Sequence, residues 1–393
     1  DVITVGENSI ANAWNSTNSA ININIPVSDD ESLDSGRVQI IAKVANNDFE
    51  NLDSYHFFQS SDLNNSKIVS VSESLVESIS GFSENDTITI SAIIYDVPGN
   101  MTIGSESNTK LVINQSIPII INSNIESDFS DSSLAGVDNI ITLIFETDTE
   151  IIIPSVTISG QEAIIVNLGD NEWQASYTMQ SSDEDGIIPF VIDFMDVYGN
   201  PNSVINSTED GTSVTFDNSK PSLSFVSIKS SNQDTTFAKV GDTITIIFEA
   251  DEVLTSQIAS INSKNTEITS INEGLLTKYY AKYVTENTDN EGEINFEIIV
   301  TDSIGIQSNP VTETTNNSLV TFDRTQPVIS NLHIESDNNY NTSVGISGDE
   351  IYLTFTSSEI LLLDSVVAII SGAEVPVNLN DGVYQGVYQL TGL

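Results

Sequence analysis

"VTFDRTQP", residues 320–327, nearly repeats "VTFDNSKP", residues 214–221, and "LVINQSIP", residues 111–118, is a weaker echo. One chain writing the same phrase three times, about a hundred residues apart, points to a tandem array, so internal repeats are read before any local structure. Two further anchors recur in the same order. An early strand reads "ITLIFETDTE" (141–150), "ITIIFEADEV" (244–253) and "IYLTFTSSEI" (351–360), with Phe145, Phe248 and Phe355 at equivalent places. A late strand ends in Asp-x-x-Gly: "IIYDVPGN" (93–100), "DFMDVYGN" (193–200) and "IVTDSIGI" (299–306). "VNLGDNEWQASYTM" (166–179) also aligns without gaps on "VNLNDGVYQGVYQL" (377–390), matching Trp173 to Tyr384 and Tyr177 to Tyr388.

The repeating unit is therefore 103–107 residues of short alternating segments. In "DTITIIFEA" (242–250), Ile244, Ile246 and Phe248 fall on one face and Thr245, Ile247 and Glu249 on the other, the period of a strand. Turn signals such as "VGD", "GDN", "EDG" and "NEG" separate the runs, and no helical period intervenes. The fold class that follows is all-β, a series of Ig-like antiparallel β-sandwiches arranged as an extended rod. Proline, with no N–H and a fixed φ, suits the linker or the first position of an edge strand, so Pro118, Pro221 and Pro327 mark the junctions. The expected domains are 1–114, with an insertion, 115–217, 218–323 and 324–393. In the first, "SAININIPV" (19–27) is the expected early strand. The fourth stops before its last two strands. Either the chain continues, or a neighbouring chain supplies them, because a sandwich short of two strands leaves edges open.

Composition agrees and narrows the function. Ile and Val dominate the apolar residues and Ser, Thr and Asn the polar ones, a vocabulary of strands and turns. With 39% hydrophobic residues over 393 positions, the chain is too apolar for a disordered one. Fifty-seven acidic against 11 basic residues give a net charge of −46, with no Lys or Arg run. Nucleic acid and anionic membrane surfaces are poor partners for such a field, and cations are natural ones. Cysteine is absent, which excludes disulfides and thiolate chemistry. No window of about 18 apolar residues reads as a membrane span, and "DVITVGENSI" is not a signal peptide, so the expected chain is mature, processed or excised.

The run "VIDFMDVYGNPNSVINSTEDGTSVTFDNSKP" (191–221) resembles the end of the bacterial Ig-like repeat found in tandem in very large surface proteins of the adhesin and surface-layer type. In that repeat an Asp-x-x-Gly-Asn turn is followed by a Thr-rich segment, a Val-x-Phe/Ile-Asp strand and a Thr-x-Pro linker. The sequence departs from that pattern at Asn114, where the later copies carry Asp217 and Asp323, and at Ile306, which replaces the turn Asn. The resemblance implies an extracellular, non-catalytic segment at a microbial cell surface, serving as a stalk or adhesin region. Two other readings are a self-assembling surface-layer or filament subunit, and accessory modules of a carbohydrate-active enzyme. The partners expected are neighbouring repeats or subunits of the same protein, and a surface glycan or protein.

An Ig-type sandwich brings the loop after its second strand, its late turn and the incoming linker to one pole. Oxygen ligands, several of them carboxylates, are what Ca²⁺ requires. The expected calcium ligands are Asp217, Glu249, Asp251, Glu252 and Asp302 at the third unit, and Glu146, Asp148 and Asp196, with neutral Asn114, at the second. At the fourth they are Asp323 and Glu359, with Ser358 in place of an acid. Catalytic patterns are lacking. His56 and His333 fall in different units, no serine elbow, zinc or phosphate-loop motif occurs, and the acids of "SSDEDG" (181–186) read as a turn. Eight glycosylation sequons match the number chance gives at this Asn, Ser and Thr content. The densest aromatic patch, Phe49, Tyr55, His56, Phe57 and Phe58, reads as core, with surface binding as the alternative.

Overall fold

Side-chain alternation is plain in the strand Thr243–Ala250, where Ile244, Ile246 and Phe248 are all fully buried. The computed structural model describes residues 1–273 and 276–392. Strands hold 48% of residues and helices 3%, so the all-β expectation and its antiparallel sandwiches hold. The chain divides into two compact units, Asp1–Lys220 with Ser303–Ile306, and Pro221–Asp302 with Gln307–Leu393.

In the first unit, strands Val2–Gly6, Asn18–Val27 and Asn65–Ser72 form one sheet, with the expected early strand at its centre. The opposing sheet is built on Thr87–Tyr95 and Arg37–Val44. Ile21, Ile23, Ile40, Val71 and Ile88 meet between the two sheets, over the fully buried Trp14. The following sandwich packs a four-stranded sheet, ordered Ile120–Ser127, Ile140–Thr147, Glu172–Thr178, Ile164–Gly169, on two three-stranded ones. It has its own core around Leu143, Phe145 and Phe216.

The second unit repeats that plan. Leu223–Ser230, Thr243–Ala250, Leu276–Val284 and Glu267–Glu273 form the four-stranded sheet over a core of Phe248, Ile298 and Phe322. The next copy has the four-stranded sheet again, from Ile329–Ser336 to Val377–Asn380, but only a two-stranded partner, Ala368–Ile370 with Ala373–Val375. Its core is correspondingly small, centred on Phe355 and Tyr384.

The equivalent phenylalanines each face an aromatic directly across the ladder: Phe145 opposite Trp173, Phe248 opposite Tyr279 and Phe355 opposite Tyr384. The last two pairs stack with ring centroids 5.2 and 5.1 Å apart. Two-residue turns close the hairpins within the smaller sheets, with both central residues at positive φ: Ser159-Gly160, Asn262-Ser263 and Ser371-Gly372. That conformation matches the right-handed twist of the flanking strands.

Candidate cation sites and linker joints

Each repeat of the opening phrase ends a short strand that pairs in parallel with an early one: Leu111–Ile113 with Ala13–Trp14, Thr215–Phe216 with Leu134–Ala135, and Thr321–Phe322 with Phe237–Ala238. The next residue closes the ladder through its backbone. Asn114 donates to the Trp14 carbonyl, Asp217 to that of Ala135 and Asp323 to that of Ala238, each at 2.9 Å. The side-chain oxygen of Asp217 then accepts from the Ser219 N–H, and that of Asp323 from the Thr325 N–H, both at 2.9 Å. These are turns in which a carboxylate holds the chain two residues on.

One residue further, the linker N–H is held by an acid from much earlier in the same sandwich. Glu84 accepts from Gln115 at 2.9 Å, Asp185 from Asn218 at 2.7 Å and Glu291 from Arg324 at 3.1 Å. Asp185 also accepts from the Ser219 hydroxyl, and Glu291 from the Thr325 hydroxyl, both at 2.6 Å. The Thr325 hydroxyl and the Arg324 amide hold the Glu291 carboxyl below its ordinary pKa. These three clamps are not among the residues singled out from the sequence. Their signal was present as acids 31–33 residues ahead of the linker, in "SEND", "DEDG" and "DNEG".

"SSDEDG" is the turn the sequence suggests. Asp185 holds the linker, while Asp183 accepts from the Gln180 N–H at 2.7 Å and from the Tyr177 hydroxyl at 3.3 Å. Its counterpart Asp289 accepts from the Glu286 N–H at 2.7 Å, the Tyr283 hydroxyl at 2.8 Å and Lys264 at 3.1 Å.

The acids assigned to calcium fall into different environments. Asp148 accepts from the backbone N–H of Ile119 at 3.0 Å, and Asp251 from that of Ser222 at 3.1 Å. In the last copy Ser358 takes the same place, its hydroxyl oxygen accepting from the Val328 N–H at 2.9 Å. These three side chains tie the loop after the early strand to the first strand of their own sandwich. For Asp251, burial pushes the carboxyl pKa up, and the Ser222 hydroxyl and amide outweigh that, leaving it lowered. Glu249 pairs with Lys278 across the ladder at 3.6 Å. Glu146 lies opposite Glu172. The Glu359 N–H donates to Ser357 at 3.3 Å.

Asp196 is almost fully buried and closes its own Asp-x-x-Gly-Asn turn, accepting from the N–H groups of Tyr198 at 2.9 Å and Asn200 at 2.8 Å. Its other carboxylate oxygen accepts from the Asn200 side-chain amide at 2.8 Å. That amide also donates to Asn114, so an N–H donor bridges two of the oxygens the sequence assigns to calcium. Among those acids, Glu252 and Asp302 do approach each other: one carboxylate oxygen of each lies within 4.8 Å, and Asp302 is fully buried. Two carboxylates at that spacing suit a hard divalent cation with oxygen ligands.

Elsewhere, His56 lies 3.0 Å from Asp53, and His333 3.5 Å from Glu335. The aromatic patch is divided rather than buried as a whole, correcting the core reading. Phe58 and Leu52 enter the core, whereas Tyr55 and Phe57 stay exposed at 46% and 62%. The cause is local alternation on the edge strand His56–Phe57: successive side chains take opposite faces. Among the described residues, no helix is long and apolar enough to cross a membrane.

No protein-family model and no curated protein matches the chain. Among solved structures it is similar to a 1.5-MDa bacterial ice-binding adhesin, at 15% identity over 78% of this chain and 98% of that one, with a TM-score of 0.35. It is also similar to a Ca²⁺-stabilized, ice-binding adhesin of an Antarctic bacterium, at 12% identity over 94% and 86% of the two chains, with a TM-score of 0.34. The I9–I11 tandem of titin shares 11% identity over 78% of this chain and 93% of that one, with a TM-score of 0.24. All three are built of tandem Ig-like or fibronectin-like sandwiches.

Proposed function

We propose that this chain is a non-catalytic spacer and adhesive segment of an extracellular microbial surface protein, with sandwiches at 1–114, 115–217, 218–323 and 324–393. The observation that carries the reading is the linker clamp. Glu84, Asp185 and Glu291 each hold the first linker residue of their own sandwich, so the point and direction of exit are fixed three times in the same way. A chain of enzyme modules needs no such repetition, whereas a spacer does. The excess of acids keeps the surface soluble in salt, where screening limits self-repulsion to about 8 Å at physiological ionic strength.

Stretching single full-length chains tests the spacer reading. Separate cores give discrete unfolding events, each releasing about 33–36 nm of chain for about 100 residues at 3.3–3.6 Å each. A single cooperative rupture of the whole chain overturns it.

Calcium is the cation this reading implies, taken by Glu252 and Asp302, whose carboxylates approach within 4.8 Å. A ligand bound only to the folded state stabilises it by about 2.7 kcal/mol at a hundred times its dissociation constant. Melting of the full chain is expected to rise with calcium over EDTA, and the rise to vanish in the Glu252→Gln, Asp302→Asn double variant. An unchanged melt refutes calcium and leaves the spacer reading to the stretching experiment.

A further inference from the structure

The outer face of the Arg37–Val44 sheet carries a row of side chains that the core does not use. Phe57 lies directly opposite Arg37, Arg37 opposite Tyr95, and Tyr95 opposite Met101, across four neighbouring strands. Residues opposite each other in an antiparallel pair project to the same face. Phe57 and Met101 are both 62% exposed, and Arg37 and Tyr95 are half-buried between them. Tyr55 completes the platform, its ring 5.8 Å from that of Tyr95 and set edge-on to it.

The guanidinium at the centre is the informative group. It lies 4.6 Å from the Tyr55 ring and 4.8 Å from the Tyr95 ring. It makes no salt bridge or hydrogen bond with any described residue, and its Nε is buried without a partner. Lys43, Lys67, Lys264, Lys278 and Arg324, by contrast, each pair with a carboxylate of this acid-rich chain. The acids of the flanking segments are held by other donors: Asp53 by Ser54 and His56, Asp96 by Asn100, and Asp34 by Ser60. The two rings hold the guanidinium rigid through cation–π contact while leaving its forked N–H groups without an acceptor.

We infer that this face binds an anionic glycan, with the Arg37 guanidinium pairing a sugar carboxylate or sulfate and Phe57, Tyr55 and Tyr95 stacking on the sugar rings. An exposed aromatic face packs against the C–H face of a pyranose, and a guanidinium matches a carboxylate or sulfate through two parallel hydrogen bonds. The chain's overall negative charge does not forbid this. At physiological salt the field of distant acids is screened within about 8 Å, while the direct contact is not.

The test is affinity electrophoresis of the full chain in gels containing polygalacturonate, carrageenan or neutral dextran. Retardation by polygalacturonate, carrageenan or both, and not by dextran, is expected, and the two anionic gels separate carboxylate from sulfate recognition. Arg37→Gln is expected to weaken retardation at least tenfold. Because Arg37 is packed between two rings, Phe57→Ala serves as the second variant. It removes an exposed ring, leaves the melting temperature unchanged, and is expected to weaken retardation several-fold. No retardation by either anionic polymer, equal retardation by dextran, or full retention in the Phe57→Ala variant overturns the proposal.

Discussion

The side-chain amide of Asn200 donates to the side-chain oxygen of Asn114 at 2.8 Å. The same nitrogen reaches the Asp196 carboxylate at 2.8 Å, and the Asn200 side-chain oxygen accepts from the Ser16 N–H at 2.8 Å. Asn200 is fully buried, so every one of these bonds replaces water. Asn200→Ala leaves the buried Asp196 carboxylate short of a partner, which costs about 1–3 kcal/mol. Asn200→Asp is worse at neutral pH, because it sets a second carboxylate against Asp196. Protonating the introduced acid restores a donor between the two. The Asp variant is therefore expected to recover stability as pH falls toward 4, unlike the Ala variant, in melts of the full chain across pH.

Phe248 stacks on Tyr279 at a 16° interplanar angle and is fully buried at the centre of its core. Phe248→Ala removes the ring and leaves a cavity that the surrounding ladder cannot close, so it costs about 3–5 kcal/mol. The four cores share no buried residue among those described, so the loss is expected in one unfolding transition. A urea titration followed by limited proteolysis shows this if cleavage concentrates within Pro221–Asp323. Uniform weakening of every sandwich would contradict it.

Asp185 holds both the N–H of Asn218 and the hydroxyl of Ser219. Asp185→Ala is expected to release the linker without unfolding the sandwich, because neither partner belongs to the core. At about 1 kcal/mol for such an exposed bond, amide exchange at Asn218 accelerates roughly fivefold. Hydrogen exchange on a peptide spanning 214–221 reads this directly. Unchanged exchange would show that the clamp adds nothing to the order of the linker.

The fold was legible because strand alternation and the hundred-residue echo are both one-dimensional signals. Ile244, Ile246 and Phe248 could be assigned to one face from spacing alone, and they are buried together. The expected calcium ligands came from which loops share a pole and from the oxygen-bearing residues in them, and neither says which donor an acid faces. Asp148 and Asp251 look like cation ligands in sequence, yet each holds a backbone N–H about 29 residues upstream. Their equivalence to Ser358 was the available clue, since a hydroxyl accepts an N–H as an acid does but is a poor calcium ligand. Phe57 and Phe58 are adjacent, so only the edge pairing of His56–Phe57 with Arg37–Val38 decides which ring is buried.

Asp289 gives the third sandwich a pH dependence of definite sign. Burial pushes its carboxyl pKa up, but the Glu286 amide, the Tyr283 hydroxyl and Lys264 outweigh that and leave it lowered. Lys264 is shifted upward by its bonds to Glu286, Tyr283 and Asp289. A carboxylate lowered in the folded state contributes stability above its unfolded value of about 3.9, and that contribution is lost as pH falls through the folded value. An amine raised in the folded state contributes below its unfolded value of about 10.4, and its share is lost as pH rises through the folded value. Both are intact at neutral pH. Asp289→Ala is expected to cost about 1–3 kcal/mol there, because the Glu286 N–H and the Tyr283 hydroxyl lose their acceptor. The cost should shrink as the native protein is acidified below about pH 4. Thermal melts of native chain and variant from pH 3 to pH 8 measure the difference, and a cost that grows on acidification would reverse the sign argued here.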